Sequence, residues 1–177
     1  MNVAVFCGSS TGIDPVYANT AKSLGTLMAS KSHSLIYGGG KVGFMGIIAD
    51  AVLKGGGEVI GVIPQFLMDR EVGHSGVTRL EVVQSMHQRK QRMADLAQAF
   101  IAYPGGWGTL EELAEILTWR QLGLISHPVV LLNVNDFFTP LLHQLHTMGQ
   151  QGFVRNENLE VLRVAKTPEE ALSLIIP

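Results

Sequence analysis

The strongest constraint on this chain is a set of short apolar runs that do not alternate with polar residues. Val59-Ile60-Gly61-Val62-Ile63 and Val129-Val130-Leu131-Leu132 are the clearest. Successive side chains of a strand point to opposite faces, so a strand wetted on one face alternates. A continuous run belongs to a strand covered on both faces, as in parallel sheets packed between helices. Helical patterns separate such runs from end to end. The expected architecture is therefore α/β: a three-layer, Rossmann-like fold with a doubly wound parallel sheet. At 177 residues the chain suits a single domain with a sizeable core. No linker, internal repeat or low-complexity tract divides it.

Strands are expected over Val3 to Cys7, Ser34 to Tyr37, Glu58 to Ile63, Thr78 to Val83, Ala99 to Ala102, Pro128 to Val134 and Glu160 to Val164. Asp14-Pro15 joins an N-cap type to a proline suited to the first helical position, and starts a helix running to Ser30. Further helices are expected over Phe44 to Leu53, from Ser85 to Ala97, from the glycines at 105–106 to Leu122, from Thr139-Pro140 to Gly149, and after Thr167-Pro168. Ser85-x-x-Gln88 and Thr167-x-x-Glu170 have the form of capping boxes. Pro64 to Gly76 reads as a loop or irregular segment.

Hydrophobic residues make up 46% of the chain, charged residues 16%, and the formal net charge is −2 with no basic tract. That balance argues against electrostatic binding of nucleic acid. No apolar run approaches the roughly 20 residues of a membrane span, and no signal-peptide pattern is present. Cys7 is the single cysteine. No intrachain disulfide can form, and a cytoplasmic setting is expected.

Three glycine clusters follow expected strands: Gly8-Ser9-Ser10, Gly38-Gly39-Gly40 and Gly105-Gly106. In open α/β sheets ligands sit outside the carboxyl ends of the strands, so the clusters should converge on one edge. Gly38-Gly39-Gly40-Lys41-Val42-Gly43 lacks the GK[ST] of a P-loop and is not a clean dinucleotide fingerprint. It serves as tight-turn glycine, or, with the other clusters, as a contact for phosphate or ribose.

Tyr103-Pro104-Gly105-Gly106-Trp107-Gly108-Thr109-Leu110-Glu111-Glu112 is the most specific segment. Glycines between a strand and a helix allow close approach of backbone to ligand. The helix N-terminus adds unpaired N–H groups and partial positive charge, which favour phosphate. Two glutamates so close to an anion site more reasonably face a sugar or a reacting carbon. Thr109-x-x-Glu112 also matches a capping box, in which Glu112 would only satisfy a backbone donor. At about 100° per residue, Glu111, Glu112, Glu115, Thr118 and Trp119 share one sector of the helix, opposite Leu110, Leu113, Ala114 and Leu117. Glu115 reads as a solvated or interface residue.

Upstream, Met86-His87-Gln88-Arg89-Lys90 opens a helix. Arg89 offers a rigid fork suited to phosphate and Lys90 a point charge; a solvated basic turn is the plainer alternative. His87 alone reads as structural. The other histidines show no metal-ligand spacing, so neither metal nor cofactor is expected.

Taken together, Pro104-Gly105-Gly106-x-Gly108-Thr109-x-x-Glu112 and Met86-His87-x-Arg89-Lys90 resemble the LOG ("Lonely guy") family. These are cytokinin riboside 5′-monophosphate phosphoribohydrolases, often labelled lysine decarboxylases. Phe6-Cys7-Gly8-Ser9-Ser10, Tyr37-Gly38-Gly39-Gly40, Gly43-Phe44-Met45-Gly46, Gly61-Val62-Ile63-Pro64 and Thr118-Trp119-x-Gln121-Leu122-Gly123 extend the resemblance over nearly the whole chain. It implies hydrolysis of the N-glycosidic bond of a cytokinin riboside 5′-monophosphate or AMP, giving free base and ribose 5-phosphate. Arg89 and Glu112 match the catalytic pair. Glu71, Lys90, Gly105, Gly106, Trp107, Gly108, Thr109, Leu110, Glu111 and Thr118 match substrate-binding positions, with Gly8, Ser9, Gly39 and Gly40 added from the glycine clusters. Two departures stand out: Gln98 where relatives commonly carry aspartate, and Leu124-Ile125-Ser126-His127-Pro128 in place of a more basic loop.

The chemistry agrees with this implication. Breaking a ribosyl bond builds positive charge on the sugar, and a fixed carboxylate stabilises that charge and orients or deprotonates water. That role falls to Glu112, with Glu111 on the ribose hydroxyls and the glycine-loop amides on the 5′-phosphate. Arg89 serves either the phosphate or the departing base.

A pyridoxal phosphate decarboxylase would need a Schiff-base lysine with an acidic partner for the cofactor ring. None of Lys22, Lys31, Lys41, Lys54, Lys90 and Lys166 sits in such a motif. A non-catalytic nucleotide or molybdenum-cofactor carrier on the same scaffold is the other alternative. The resemblance also implies a homodimer, for which Trp119 and the apolar segment Leu122 to Ile125 are candidate surface. Preference for a prenylated base or plain AMP is left open.

Overall fold

The computed structural model describes residues 1–71 and 73–176, apart from the side chains of Asp69 and Glu71. Among the described residues, seven parallel strands form one sheet in the order β4-β3-β2-β1-β5-β6-β7. These are β1 (Asn2–Phe6), β2 (Ser34–Tyr37), β3 (Val59–Pro64), β4 (Arg79–Val83), β5 (Ala99–Ala102), β6 (Val129–Leu132) and β7 (Leu162–Ala165). The intervening helices are α1 (Pro15–Ser30), α2 (Gly43–Lys54), α3 (Gln65–Glu71), α4 (Met86–Leu96), α5 (Trp107–Gln121), α6 (Thr139–Gln150), α7 (Asn156–Leu159) and α8 (Pro168–Leu174). From β1 the chain winds outward through β2, β3 and β4, then returns to pair β5 on the other side of β1. This is the doubly wound arrangement, with its switch point between β1 and β5.

The apolar runs are buried on both faces, as their pattern requires. Val3, Val5, Leu35, Tyr37, Ile101 and Leu132 pack with α1, α2 and α8. Ala4, Phe6, Ile36, Val62, Phe100 and Leu131 face the other way, against α4, α5 and α6. Every residue of β3, β5 and β6 is buried. Truncating one central side chain such as Leu131 to alanine should destabilise the fold by about 2–5 kcal/mol.

The expected caps form. The Val16 N–H donates to Asp14 Oδ1 at 2.9 Å, with Pro15 at the start of α1. The Gln88 N–H donates to Ser85 Oγ at 3.2 Å, and the Glu170 N–H to Thr167 Oγ1 at 3.2 Å. In both boxes the returning side chain reaches one residue further back than the usual motif. Gln88 Oε1 accepts from the Gln84 N–H at 2.8 Å, and Glu170 Oε2 from the Lys166 N–H at 2.7 Å.

Two expectations need correction, and one short helix was not expected. The segment read as a loop holds α3, because Pro64 ends β3 instead of breaking a helix; the helix formers Gln65 to Met68 follow it directly. The four-residue α7 is too short to show a period. Val134, expected to end a strand, opens a 3-10 turn in which Asn135 and Asp136 take positive φ of 49° and 56°. Asparagine and aspartate tolerate that region best among non-glycine residues.

Candidate active site

The three glycine loops meet at the switch point. Gly8 follows β1. Its N–H donates to the Pro104 carbonyl at 3.1 Å, and its carbonyl accepts from the Phe44 N–H at 3.1 Å. One residue thus ties the loop after β1 to those after β2 and β5. Gly105 is required at the same neck. A Cβ there would lie 2.1 Å from Thr109 Oγ1 and 2.7 Å from the Gly8 nitrogen.

A cleft of about 160 Å³ opens beside this neck, lined by Cys7, Gly8, Ser9, Gly38, Met45, Arg89, Gly106 to Thr109, and Glu112. The helix α5 begins on its wall. Its N-cap is Gly106, and no side chain caps it. The first N–H groups of a helix have no intrahelical acceptor, so this end presents donors and partial positive charge to the cleft. Because the cap is Gly106, the capping box considered for Thr109 and Glu112 does not form. Thr109 lies in the first turn and Glu112 in the second, and both are buried.

Arg89 and Glu112 line the same cleft, 6% and 8% exposed. Arg89 is held by backbone. Its Nε–H donates to the Val62 carbonyl at 3.1 Å and Nη2 to the Gly38 carbonyl at 3.0 Å, with Nη1 3.8 Å from Met86 Sδ. Anchored on the carbonyl just past β2 and on one within β3, the guanidinium brings a fixed positive charge to the cleft. Both charges act on Cys7. Burial pushes its thiol well above the usual range, the Glu112 charge pushes it further, and Arg89 opposes them. Cys7 therefore stays protonated at neutral pH.

Other sequence-derived positions fall around this centre. Trp107 stands on the rim, 88% exposed. Lys90 is buried, but its ammonium pairs with Glu111 and with Glu115 Oε1, the latter at 3.1 Å. Burial alone would lower its pKa; the hydrogen bonds and charges of the two glutamates outweigh that and raise it. Glu111 is half exposed within this pair. Gly39 and Gly40 engage the segment before β4: the His74 N–H donates to the Gly39 carbonyl at 2.9 Å, and Gly40 bridges Gly73. Leu110 and Thr118 line an apolar groove between α5 and α6, apart from the cleft, and Thr118 Oγ1 donates to the Ala114 carbonyl at 2.8 Å. The Glu71 side chain lies outside the described residues. Cys7 and Met45 line the cleft without having been assigned to the site from sequence, and Gly38, offered there only as part of the 38–40 cluster, lines it too. Their positions beside strand-end glycines were the available signal.

Among the described residues, no group of three or more His, Cys, Asp or Glu side chains is placed to hold a metal ion. His74 is an instance of a structural histidine: Nδ1 accepts from the Gly76 N–H at 3.2 Å, so Nε2 carries the proton toward Asp50 Oδ1 at 2.9 Å.

A family model described as possible lysine decarboxylase matches residues 45–175. The chain is 46% identical over 170 residues to a probable cytokinin riboside 5′-monophosphate phosphoribohydrolase of Oryza sativa subsp. japonica, covering 96% of this chain and 70% of that one. It is 45% identical over 168 residues to such an enzyme of Arabidopsis thaliana, covering 95% and 79%. The chain belongs to the LOG family. The cytokinin riboside 5′-monophosphate phosphoribohydrolase of Rhodococcoides fascians is likewise 45% identical over 175 residues, covering 98% of this chain and 88% of that one.

Among solved structures, the molybdenum cofactor binding protein of Rippkaea orientalis superposes with a TM-score of 0.73 at 25% identity, over 98% of this chain and 94% of that one. The molybdenum cofactor carrier protein of Chlamydomonas reinhardtii gives 0.73 at 19%, over 97% and 93%, a likeness of fold alone. As for the decarboxylase description, Lys90 is the buried lysine among the described residues, and its two carboxylates hold it charged. A Schiff-base lysine must present a neutral amine.

Proposed function

We propose that this protein hydrolyses the N-glycosidic bond of cytokinin riboside 5′-monophosphate, and of AMP, to free base and ribose 5-phosphate. The observation that carries the reading is the shared burial of Arg89 and Glu112 in one cleft at the uncapped N-terminus of α5. The names of the relatives support the same reaction. The 5′-phosphate sits at the first amides of α5, where the helix end favours an anion. The ribose then lies inward, with its anomeric carbon toward Glu112. As the bond from that carbon to the base nitrogen breaks, its electron pair leaves with the base and positive charge develops on the sugar ring. The Glu112 carboxylate stabilises that charge and takes a proton from the attacking water. The oxygen of that water stays on the sugar with one hydrogen, and the proton taken by Glu112 is returned to the departing base, so the carboxylate is regenerated. Arg89 provides fixed positive charge beside phosphate or base.

We further read the enzyme as a cytoplasmic homodimer. The single cysteine supports the compartment, and exposed Leu122 and Leu124 beside Trp119 support a subunit contact. The shared fold with the Rippkaea orientalis protein keeps a carrier as the second reading. Release of base and ribose 5-phosphate from AMP and isopentenyladenosine monophosphate separates the two. Turnover by wild type that is lost in Glu112→Gln and Arg89→Ala, with folding intact, is the expected result. Tight nucleotide binding without release of base would favour the carrier.

A further inference from the structure

The residues beside the proposed catalytic pair make a second device. Arg89 and Lys90 are successive on α4; Glu111 and Glu112 are successive on α5. Neighbouring helical side chains diverge by about 100°, so each helix sends one residue into the cleft and the next elsewhere. The two "elsewhere" residues meet. The Lys90 ammonium pairs with Glu111 and, one helical turn on, with Glu115. These pairs join α4 to α5 directly across the layer that carries Arg89 and Glu112.

We propose that Lys90, Glu111 and Glu115 form an ionic clasp that sets the spacing of α4 and α5, and with it the register of Arg89 against Glu112. Lys90 is then a positioning residue, not a phosphate ligand. The inference rests on the phosphoribohydrolase reading for its kinetic consequence, but the clasp itself is a matter of geometry. Two of the three ammonium protons are engaged by carboxylates, and the ammonium is buried. One lysine between two glutamates carries a net charge of −1, which repels a phosphate. The anion has a better place at the end of α5, where residues 106–109 line the cleft and the cap residue, Gly106, has no side chain of its own. An exposed ion pair contributes little to stability, but a buried cation stripped of its partners is strongly unfavourable. The clasp therefore holds geometry as a unit.

The test compares Lys90→Met, the double variant Glu111→Gln/Glu115→Gln, and all three changes combined. The readouts are steady-state hydrolysis of AMP, calorimetric affinity for ribose 5-phosphate, and thermal melting. A clasp predicts that Lys90→Met and the double variant each lower kcat by roughly tenfold or more, the scale of small misplacements in an active site. Ribose 5-phosphate affinity stays within about twofold, and the combined variant is no worse than either parent, because one coupled unit is removed once. Lys90→Arg, which keeps charge and reach, restores most of kcat. If Lys90→Met instead weakens ribose 5-phosphate tenfold while the double glutamate variant does not, Lys90 is a phosphate ligand and the proposal falls. Additive losses of kcat and melting temperature also overturn it. Wild-type turnover is the control for the function itself. Without it the hydrolase reading fails, and the clasp is judged by the non-additivity of melting temperatures and the unchanged product affinity.

Discussion

Arg89 occupies the space that a side chain on Gly38 would need. Nη2 donates to the Gly38 carbonyl at 3.0 Å, and a Cβ on Gly38 would lie 1.9 Å from that same nitrogen. The glycine at the end of β2 is therefore a seat for the guanidinium. The strand end both orients the arginine through its carbonyl and makes room for it by lacking a side chain.

Gly38→Ala should act on catalysis far more than on folding. The clashing atoms belong to the far end of a flexible side chain, so the arginine swings away while β2 and its neighbours persist. Displacement by about 1 Å is enough to lower the rate by roughly 100-fold. The expected result is a kcat/KM reduced by about 10- to 100-fold with the native fold retained and a melting temperature lowered only modestly, by the loss of the guanidinium's carbonyl partners. Steady-state kinetics beside a thermal melt checks both halves. A large loss of melting temperature with normal activity in the folded fraction would refute the seat.

Glu112→Gln keeps shape and removes charge. General acid–base catalysis contributes about 10²–10⁴-fold, and a loss of that size in kcat with little change in KM is expected. Folding should survive, since a buried carboxylate is replaced by a neutral group of the same size. A rise in KM at constant kcat would instead mark Glu112 as a binding residue.

The sheet was legible because double-sided burial leaves a mark in sequence. Val129 to Leu132 has no polar residue and has helices on both sides. Its capping signals were legible too, since Asp14, Ser85 and Thr167 act within three residues. The helix α3 was hidden because Pro64 and the glycines beyond it carry the loop signal, while only about two turns lie between them.

The site was legible in its parts more than in its pairings. Glycines after β1, β2 and β5 foretold three loops at one edge, and the switch point brings them together. What sequence spacing does not carry is contact between helices. Lys90 and Glu111 are 21 residues apart, and nothing local announces that they meet. For the same reason the pairing of Glu111 with Lys90 was not foreseen where Glu111 was expected on the ribose hydroxyls. Thr118, on the same calculated sector, lies beside the α5–α6 groove.

Cys7 reports on the cleft without any need for turnover. Burial first, and Glu112 second, hold its thiol protonated, and Arg89 pulls the other way. Alkylation by iodoacetamide near pH 8 should be much slower than for an unperturbed thiol of pKa about 8.5, because the thiolate is the nucleophile. Denaturation should restore an ordinary rate. Glu112→Gln should move the alkylation profile to lower pH and Arg89→Ala to higher pH. Identical profiles in all three proteins would mean that neither charge reaches Cys7.

His33 makes stability depend on pH in the mildly acidic range. Burial, with nearby positive charge including Lys31, holds its pKa below the ordinary 6.5. Neither ring nitrogen has a hydrogen-bond partner among the described residues. The folded state therefore favours the neutral ring, while the unfolded chain takes up a proton at about 6.5. Above that pH both states are neutral and the group adds no pH dependence. As pH falls through 6.5 toward the lower folded pKa, the unfolded state binds the proton first and stability declines. Replacing His33 with Gln should flatten that decline between about pH 7 and 5. Urea unfolding of both proteins at several pH values, with the native fold verified by circular dichroism, measures the difference directly. Parallel stability curves would show that another group sets the acid limb.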